Sequence, residues 1–190
     1  FGKTSDNRQN EKTFFNPRSA YGISKVTGYY LTKNYREAHK LYACCGILFN
    51  HESPRRNVNF ISRKITYNLS RIIRGDINKF SIGNIKSKRD WGHAKDYVIA
   101  MWKMLQLKKP EDFVIGTGKL HSVQDFLRIA FNYCKLDYKK YINISEKFYR
   151  NDHNNVLKAD FKKAKKILKW KPKISFKSLV EEMVKNDLNN

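Results

Sequence analysis

Apolar residues in the first part of this chain follow two spacings, one typical of helices and one typical of short buried strands. Residues 21 to about 38 predict a helix, and residues 41–49 (LYACCGILF) form a continuous apolar run of strand length. The apolar residues of 61–73 recur at helical spacing, and Gly75 stands where a helix is expected to end. The segment KFSIGN (79–84) predicts a short strand.

A third predicted helix follows this strand. We expect one face of it to be buried, and that face carries Ala94, Tyr97, Val98, Met101, Met104 and Leu105.

The second part of the chain repeats the alternation of strand and helix. Residues 112–115 (DFVI) predict a strand that ends at the Gly116-Thr117-Gly118 turn. Ser122 begins the next helix, with Asp125 as its capping-box partner. Two more helices are expected, around 160–169 and 176–188. Short strands that alternate with helices predict an α/β fold, with a parallel sheet flanked by helices.

Composition narrows the class of protein. The chain has 41% apolar residues, which is enough for a core, and it has no 18-residue apolar run, so we expect no membrane span. Residues 1–15 are polar and predict a surface loop without a signal peptide. The three cysteines, two of them adjacent, suit neither a disulfide framework nor a zinc site. We therefore expect a protein of the reducing cytoplasm without a bound metal.

The net charge of +22, from 39 Lys and Arg against 17 Asp and Glu, first suggests a polyanionic partner. The lysines are dispersed along the whole chain together with many asparagines, as a genome rich in A and T would produce. No basic patch interleaved with aromatic residues stands out, so we do not expect nucleic acid as a partner.

Tyr21 and Lys25 are four residues apart on the first predicted helix and therefore share a face. A phenol is a poor base at neutral pH, but a fixed ammonium group nearby stabilises the phenolate. The pair is therefore a candidate for proton transfer. Because Y-x-x-x-K also arises often by chance, the pair alone does not establish an enzyme.

Longer motifs surround this pair. Residues 15–56 end in NHESPRR, residues 89–98 read RDWGHAKDYV, and further matching segments continue to residue 188. In these motifs, their order and nearly their spacing, the chain resembles the GDP-mannose 4,6-dehydratases of the extended short-chain dehydrogenase/reductase superfamily. The resemblance implies a Rossmann-type α/β fold with a smaller α/β substrate domain.

The resemblance implies roles for four residues around the cofactor, NADP. The residue matching Tyr21 takes a proton from the sugar 4-hydroxyl, and the one matching Lys25 holds the nicotinamide ribose. The residues matching His51 and Arg56 contact the cofactor, and the adjacent guanidinium groups of Arg55 and Arg56 suit its 2′-phosphate.

Four further residues match the substrate-binding positions of the family, and they are Asn50, Lys64, Arg89 and Arg150. We expect Arg89 at the start of the third helix, where free N–H groups and the helix dipole favour a phosphate. Lys64 is the weaker candidate, since lysines on amphipathic helices are often only solvated. The chain departs from the family at residues 151–153, which puts the contact with the nucleotide ribose and the guanosine selectivity in question.

The resemblance also implies how the chain is organised. It assigns residues 1–50 and 91–117 to the remainder of an NADP-binding Rossmann domain, and residues 51–90 and 118–190 to the substrate domain. The sequence contains neither the family's Ser/Thr-x-Glu pair nor its glycine-rich loop, so we expect it to represent the C-terminal half of an enzyme and to be inactive alone. Family members form dimers or tetramers, which predicts a homo-oligomer.

The implied function is NADP-dependent conversion of GDP-mannose to GDP-4-keto-6-deoxy-mannose with loss of water. One alternative is another extended dehydratase or epimerase of nucleotide sugars with the same Tyr and Lys. The other is a catalytically inactive basic remnant.

Overall fold

A computed structural model describes residues 1–149 and 157–189 of the chain. Its α-helices are α1 (Ala20–His39), α2 (Ile61–Ile73), α3 (Ala94–Met104), α4 (Val123–Tyr133), α5 (Lys162–Ile167) and α6 (Phe176–Leu188). Its strands are β1 (Gly46–Leu48), β2 (Asn50–Glu52), β3 (Phe80–Ile82), β4 (Lys88–Arg89), β5 (Trp91–His93), β6 (Phe113–Ile115), β7 (His121–Ser122) and β8 (Ile142–Ile144).

The strands of the described ranges form short pairs between distant parts of the chain. Three pairs are parallel, β1 with β6, β2 with β5 and β3 with β8, and the pair of β4 with β7 is antiparallel. Parallel strands need crossover connections, which here contain the helices. The expected α/β fold with parallel strands is therefore confirmed.

Local sequence signals placed most of the helices correctly. Ser122 and Asp125 form the predicted capping box of α4, and Gly75 follows α2 with a φ of +82°, in the left-handed region that favours glycine. The strand expected at residues 41–49 is shorter, because only Gly46–Leu48 pairs with a neighbouring strand.

Helices α2, α4 and α6 pack together as a unit that we call the helical lobe. Their apolar faces meet in one core, which also receives Phe80 and Ile82 from β3 and Trp91 from β5. The buried side chains of the three helices include Ile65, Leu69, Phe126, Phe131, Leu179 and Met183. A second core surrounds β6, where Phe113 and Ile115 pack with residues of α3 and with Trp170.

Helix α1 lies outside both cores. None of its 20 residues is buried, and Tyr30, Leu31 and Tyr35 are exposed. Its C-terminal end is held by Arg36, which donates to both carboxylate oxygens of Asp112 at 2.7 and 2.8 Å. A bidentate ion pair thus fixes the C-terminal end of the helix, and the Phe15 ring packs on Tyr29 nearer its middle, with 4.8 Å between the ring centroids.

The buried face of α3 differs from the predicted one. Tyr97, Ala100 and Met104 are buried, whereas Val98, Met101 and Leu105 are exposed, so the prediction was wrong at three positions. Only the side of α3 with Tyr97, Ala100 and Met104 faces the core around β6. This side includes fewer residues than the set of apolar positions that helical spacing places together.

The opening segment is also more than a surface loop. Gln9 is fully buried, and its backbone pairs with residues 158–160 on the other side of the fold. The prediction of a surface loop was wrong at Gln9. The local sequence could not show this pairing, because Lys158 lies 149 positions after Gln9.

None of the helices in the described ranges has the length and apolarity needed to cross a membrane.

Candidate functional site

The first turns of α1 carry the predicted tyrosine and lysine. Ser19 caps the helix by accepting from Gly22 N at 3.1 Å. Lys25 Nζ lies 5.3 Å from the centroid of the Tyr21 ring, so the two side chains share a face as their spacing predicts. Tyr21 is 73% exposed, and its hydroxyl group is therefore accessible to a ligand.

The fixed end of α1 shows which end of the strands Tyr21 approaches. Arg36 contacts Ala43 O and Asp112, which lie just before β1 and β6. The C-terminal end of α1 is thus at the amino ends of these strands, and the helix extends about 24 Å from Arg36 to its first turn, at about 1.5 Å per residue. The middle of α1 lies near Phe49, the residue after β1, because the Phe15 ring packs on Tyr29 of α1 (4.8 Å between centroids) and on Phe1, which in turn packs on Phe49. Tyr21 and Lys25 consequently lie toward the carboxyl ends, where ligands of open α/β sheets bind.

Asn50 and His51 lie on β2, directly beyond β1, and pair with Trp91 and Gly92 of β5. The Tyr97 hydroxyl group donates to Asn50 O at 3.4 Å, and the rings of His51 and Tyr97 are 5.3 Å apart. His51 Nδ1 is 2.9 Å from Phe49 O, and because a carbonyl only accepts, Nδ1 carries the proton. Backbone pairing and this bond together orient the imidazole ring.

Burial raises the pKa of the Tyr97 phenol strongly, and nearby carboxylates, Asp90 first among them, add to the effect. The Tyr97 hydroxyl group therefore stays protonated and donates its hydrogen bond to the backbone of β2.

Arg56 lies in the loop that leads from β2 to α2, close to the Glu52 carboxylate. Arg56 Nε lies 3.2 Å from Glu52 Oε2 without the alignment of a hydrogen bond, and its guanidinium group stacks 3.7 Å from the centroid of the Phe60 ring. Burial raises the pKa of Glu52, while the hydrogen bond from Ser62 (2.7 Å) and the charge of Arg56 oppose the rise. Arg56 is thus positioned, but part of its charge is balanced within the chain.

Arg63 anchors the same loop from α2. It donates to the carbonyl groups of Pro54 and Arg56, and its other side forms a bidentate pair with Asp187 of α6, at 2.8 and 2.6 Å. Thr66 also donates to Asp187, at 2.6 Å. Sequence reasoning missed this network, although a signal existed: Ser62, Thr66 and Ser70 form a polar row at four-residue spacing within the apolar face of α2.

Lys64 points from α2 toward residues 146–149. Its Nζ lies 4.2 Å from the centroid of the Phe148 ring, and burial lowers the pKa of its ammonium group. The side chain is therefore half-buried against an aromatic ring rather than only solvated. Arg150 lies outside the described residues.

Arg89 is the last residue of β4 and not the start of a helix, so that expectation was wrong. Residues 91–93 are extended because they pair with β2, and α3 begins only at Ala94. The dipole of α3 does not reach Arg89, since the effect fades within the first turn. Arg89 instead stands two residues before Trp91, the first residue of β5, which pairs with Asn50.

The structure therefore gathers the candidate residues in two places. Asn50, His51 and Arg89 lie around the β2–β5 pair, with Arg56 on the loop that follows. Tyr21 and Lys25 lie on α1, toward the same ends of the strands. No group of three metal-ligating side chains occurs within residues 1–149 and 157–189.

Solved structures share the fold at low sequence identity. The structure of RMD from Pseudomonas aeruginosa complexed with NADPH matches all of this chain and 63% of its own, with a TM-score of 0.89 at 15% identity. DesIV, a dTDP-glucose 4,6-dehydratase from Streptomyces venezuelae, has a TM-score of 0.87 at 18% identity, over 100% of this chain and 57% of its own. These similarities establish a Rossmann-type α/β fold.

Sequence comparison is more specific. The chain is 50% identical over 188 residues to GDP-mannose 4,6 dehydratase 1 of Arabidopsis thaliana, covering 99% of this chain and 52% of that protein. It is 45% identical over 205 residues to the human GDP-mannose 4,6 dehydratase, covering 99% of this chain and 55% of that protein. The chain thus spans about half the length of these relatives. The family profile for GDP-mannose 4,6 dehydratase matches residues 1–183, and the chain belongs to this family.

Proposed function

We propose that the complete protein containing this chain is a hydro-lyase that converts GDP-mannose to GDP-4-keto-6-deoxy-mannose with NADP as its cofactor. The observation that carries the proposal is the Tyr21–Lys25 pair on one face of α1, at the carboxyl end of the strands, in a chain of this family.

Tyr21 is the proposed base. As a phenolate it accepts the proton of the sugar 4-hydroxyl, and the ammonium group of Lys25 stabilises the resulting distribution of charge. Among the described residues of this chain Tyr21 is exposed. Proton transfer of this kind contributes about 10² to 10⁴ in rate.

Lys25, His51 and Arg56 are the proposed cofactor contacts. Their chemistry fits a pyridine dinucleotide phosphate, because an ammonium, an imidazole and a guanidinium group can bind ribose hydroxyl groups and phosphates. When bound, NADP supplies the acceptor and donor of hydride. The contact of Arg56 with Glu52 orients the guanidinium group before the cofactor arrives.

Asn50, Lys64, Arg89 and Arg150 are the proposed substrate contacts. Asn50 and Arg89 flank the β2–β5 pair, and Lys64 approaches from α2, so cations on separate elements can bind the diphosphate.

In the proposed division into domains, residues 1–50 and 91–117 form the cofactor side, and residues 51–90 and 118–190 form the substrate side. The cores support this division only in part, because Trp91 of the cofactor side packs in the core of the helical lobe, and Ala164, Leu168 and Trp170 of the substrate side pack on the core around β6. A cytoplasmic homo-oligomer completes the proposal, and the three free cysteines fit a reducing compartment.

The test uses the complete reading frame that contains these residues. We expect the purified protein with NADP to form GDP-4-keto-6-deoxy-mannose, and we expect Tyr21→Phe to lower kcat about 10² to 10⁴-fold. Tyr35→Phe, at an exposed tyrosine on the same helix, is the matched control and keeps kcat within about twofold.

Substrate competition distinguishes the alternative. Preferential turnover of UDP- or dTDP-linked sugars would identify a different nucleotide-sugar enzyme. Full activity of the Tyr21→Phe variant would reject the proposed base.

A further inference from the structure

We propose that Asp90 is a positioning residue that fixes Arg89 for binding the substrate diphosphate. The inference rests on the proposed function, because it takes Arg89 as a substrate contact. Asp90 itself touches neither substrate nor cofactor in this proposal and acts through its neighbours.

The carboxylate of Asp90 is 1% exposed and accepts four hydrogen bonds. Oδ1 accepts from the N–H and the hydroxyl group of Thr117, at 2.8 and 2.6 Å. Oδ2 accepts from Gly118 N at 2.8 Å and from Ala159 N at 3.0 Å. A buried carboxylate is costly unless its oxygens are bonded, and here each oxygen has two donors.

These donors come from two separate segments. Thr117 and Gly118 form the turn between β6 and β7, and Ala159 belongs to the stretch that pairs with the opening segment. Asp90 therefore joins three parts of the chain at the position next to Arg89.

The stretch around Ala159 is a firm anchor because the buried Gln9 holds it from the other side. Gln9 N donates to Lys158 O at 2.9 Å, Asp160 N donates to Gln9 O at 2.8 Å, and Lys158 N donates to Gln9 Oε1 at 2.6 Å. The bond from Ala159 to Asp90 thus ties Arg89 to a point that is already fixed.

The turn fixes Arg89 from a second direction. After Gly118 the chain enters β7, and His121 of β7 pairs with Arg89 in the antiparallel ladder. Gly118 has a φ of +67°, and an added Cβ on Gly116 would lie within 2.4 Å of the Ala159 Cβ, so the turn packs closely on the anchor. By holding this turn, Asp90 sets the register of the strand that supports Arg89.

Asp90→Asn tests the inference in the complete protein, with Asp96→Asn as the matched control. Asp96 is also buried and accepts two backbone N–H bonds, from Lys173 at 2.8 Å and Ile174 at 2.9 Å, but it holds the linker before α6. Each variant replaces one acceptor oxygen by an amide NH₂ group, which cannot accept the hydrogen bonds of the backbone N–H groups that face it.

Calorimetric titration then compares ligand affinities. We expect Asp90→Asn to raise the Kd for GDP-mannose about tenfold or more, with the Kd for NADP within about twofold. We expect Asp96→Asn to leave both values within about twofold, even where it lowers Tm similarly. Thr117→Val removes the hydroxyl bond to Asp90 together with two longer bonds to the backbone of Lys119, at 3.3 and 3.2 Å, and keeps the Thr117 N–H bond to Asp90. It is expected to raise the GDP-mannose Kd by about two- to fivefold and serves if Asp90→Asn does not fold.

Unchanged GDP-mannose affinity in Asp90→Asn and Thr117→Val would overturn the inference, and so would an equal loss in Asp96→Asn. If the unaltered protein binds no GDP-mannose, the proposed function fails instead. Hydrogen exchange then decides separately: faster exchange at the Gly118 and Ala159 amides in Asp90→Asn supports the positioning role, and unchanged exchange contradicts it.

Discussion

Helix α1 and the helical lobe represent two ways of holding functional residues. Helix α1 carries Tyr21 and Lys25 but buries none of its residues, whereas α2, α4 and α6 share a core and carry Lys64 and the anchor of the Arg56 loop. The residues proposed for proton transfer thus lie on the least packed helix. Lys64 and the loop that carries Arg56 are supported by the closely packed helical lobe.

The difference indicates how substitutions should act in the two regions. A change on an exposed face of α1 can alter chemistry while the stability of this chain stays nearly constant. A substitution in the core of the helical lobe should mainly lower the stability of the chain, and this loss should exceed any direct effect on binding. Close-packed interiors relax only partly when a side chain becomes smaller.

The sharpest contrast comes from one substitution at two leucines. Leu179→Ala in α6, where the side chain is 1% exposed, should lower the free energy of unfolding by about 4 kcal/mol, because it leaves a cavity. Leu31→Ala in α1, where the side chain is 54% exposed, should change it by less than about 0.5 kcal/mol. Urea denaturation of the 190-residue chain measures both values. Equal losses would remove the distinction between the two regions.

A second contrast lies within α6 and concerns charge. Asp187→Ala leaves the Arg63 guanidinium group buried without its carboxylate and should cost about 3 kcal/mol in unfolding free energy. Glu181→Ala breaks an exposed pair with Lys177 (3.7 Å) on the same helix and should cost less than about 0.5 kcal/mol. A small effect of Asp187→Ala in urea denaturation would show that the helical lobe does not depend on this network.

The smallest effect is expected at the fixed end of α1 and depends on pH. Burial acts to raise the pKa of Asp112, but hydrogen bonds from Arg36 and Cys45 N and the charge of Arg36 outweigh it and hold the pKa below the ordinary 3.8. The stabilisation is therefore complete above the ordinary pKa and is lost as the pH falls through the lowered one.

Asp112→Asn should accordingly lower the free energy of unfolding by about 1 kcal/mol at neutral pH. The free energy of unfolding of this variant should also decrease less steeply as the pH falls. Thermal unfolding between about pH 7 and pH 2 measures this dependence. Asp76→Asn, in an exposed pair with Arg74 at 3.4 Å, is the control and should change the unfolding free energy by less than about 0.5 kcal/mol. The same acid dependence in Asp112→Asn and in the unaltered chain would exclude the Arg36 pair as the tether of α1.

The sequence was sufficient where the determining contacts are local. The capping box of α4, the glycine after α2 and the shared face of Tyr21 and Lys25 all involve residues within a few positions of one another. Periodicity and capping rules describe such contacts directly.

Contacts between distant residues limited the rest. Arg89 was expected at a helix start because the pairing of residues 91–93 with β2 cannot be read from either segment alone. The bond from Arg63 to Asp187 spans 124 positions and the one from Ala159 to Asp90 spans 69, so neither carboxylate could be assigned a partner from local patterns. The exposed apolar residues of α3 were misplaced for a related reason, since periodicity gives the direction of a face but not how much of it another element covers.

The salt bridge between Arg63 and Asp187 links the last turn of α6 to the loop after β2. Asp187 sits in the final turn of α6, and through Arg63 it governs the carbonyl groups of Pro54 and Arg56. Deleting that turn would therefore disturb the loop that carries Arg56, although the deletion falls nowhere near this loop in the primary structure.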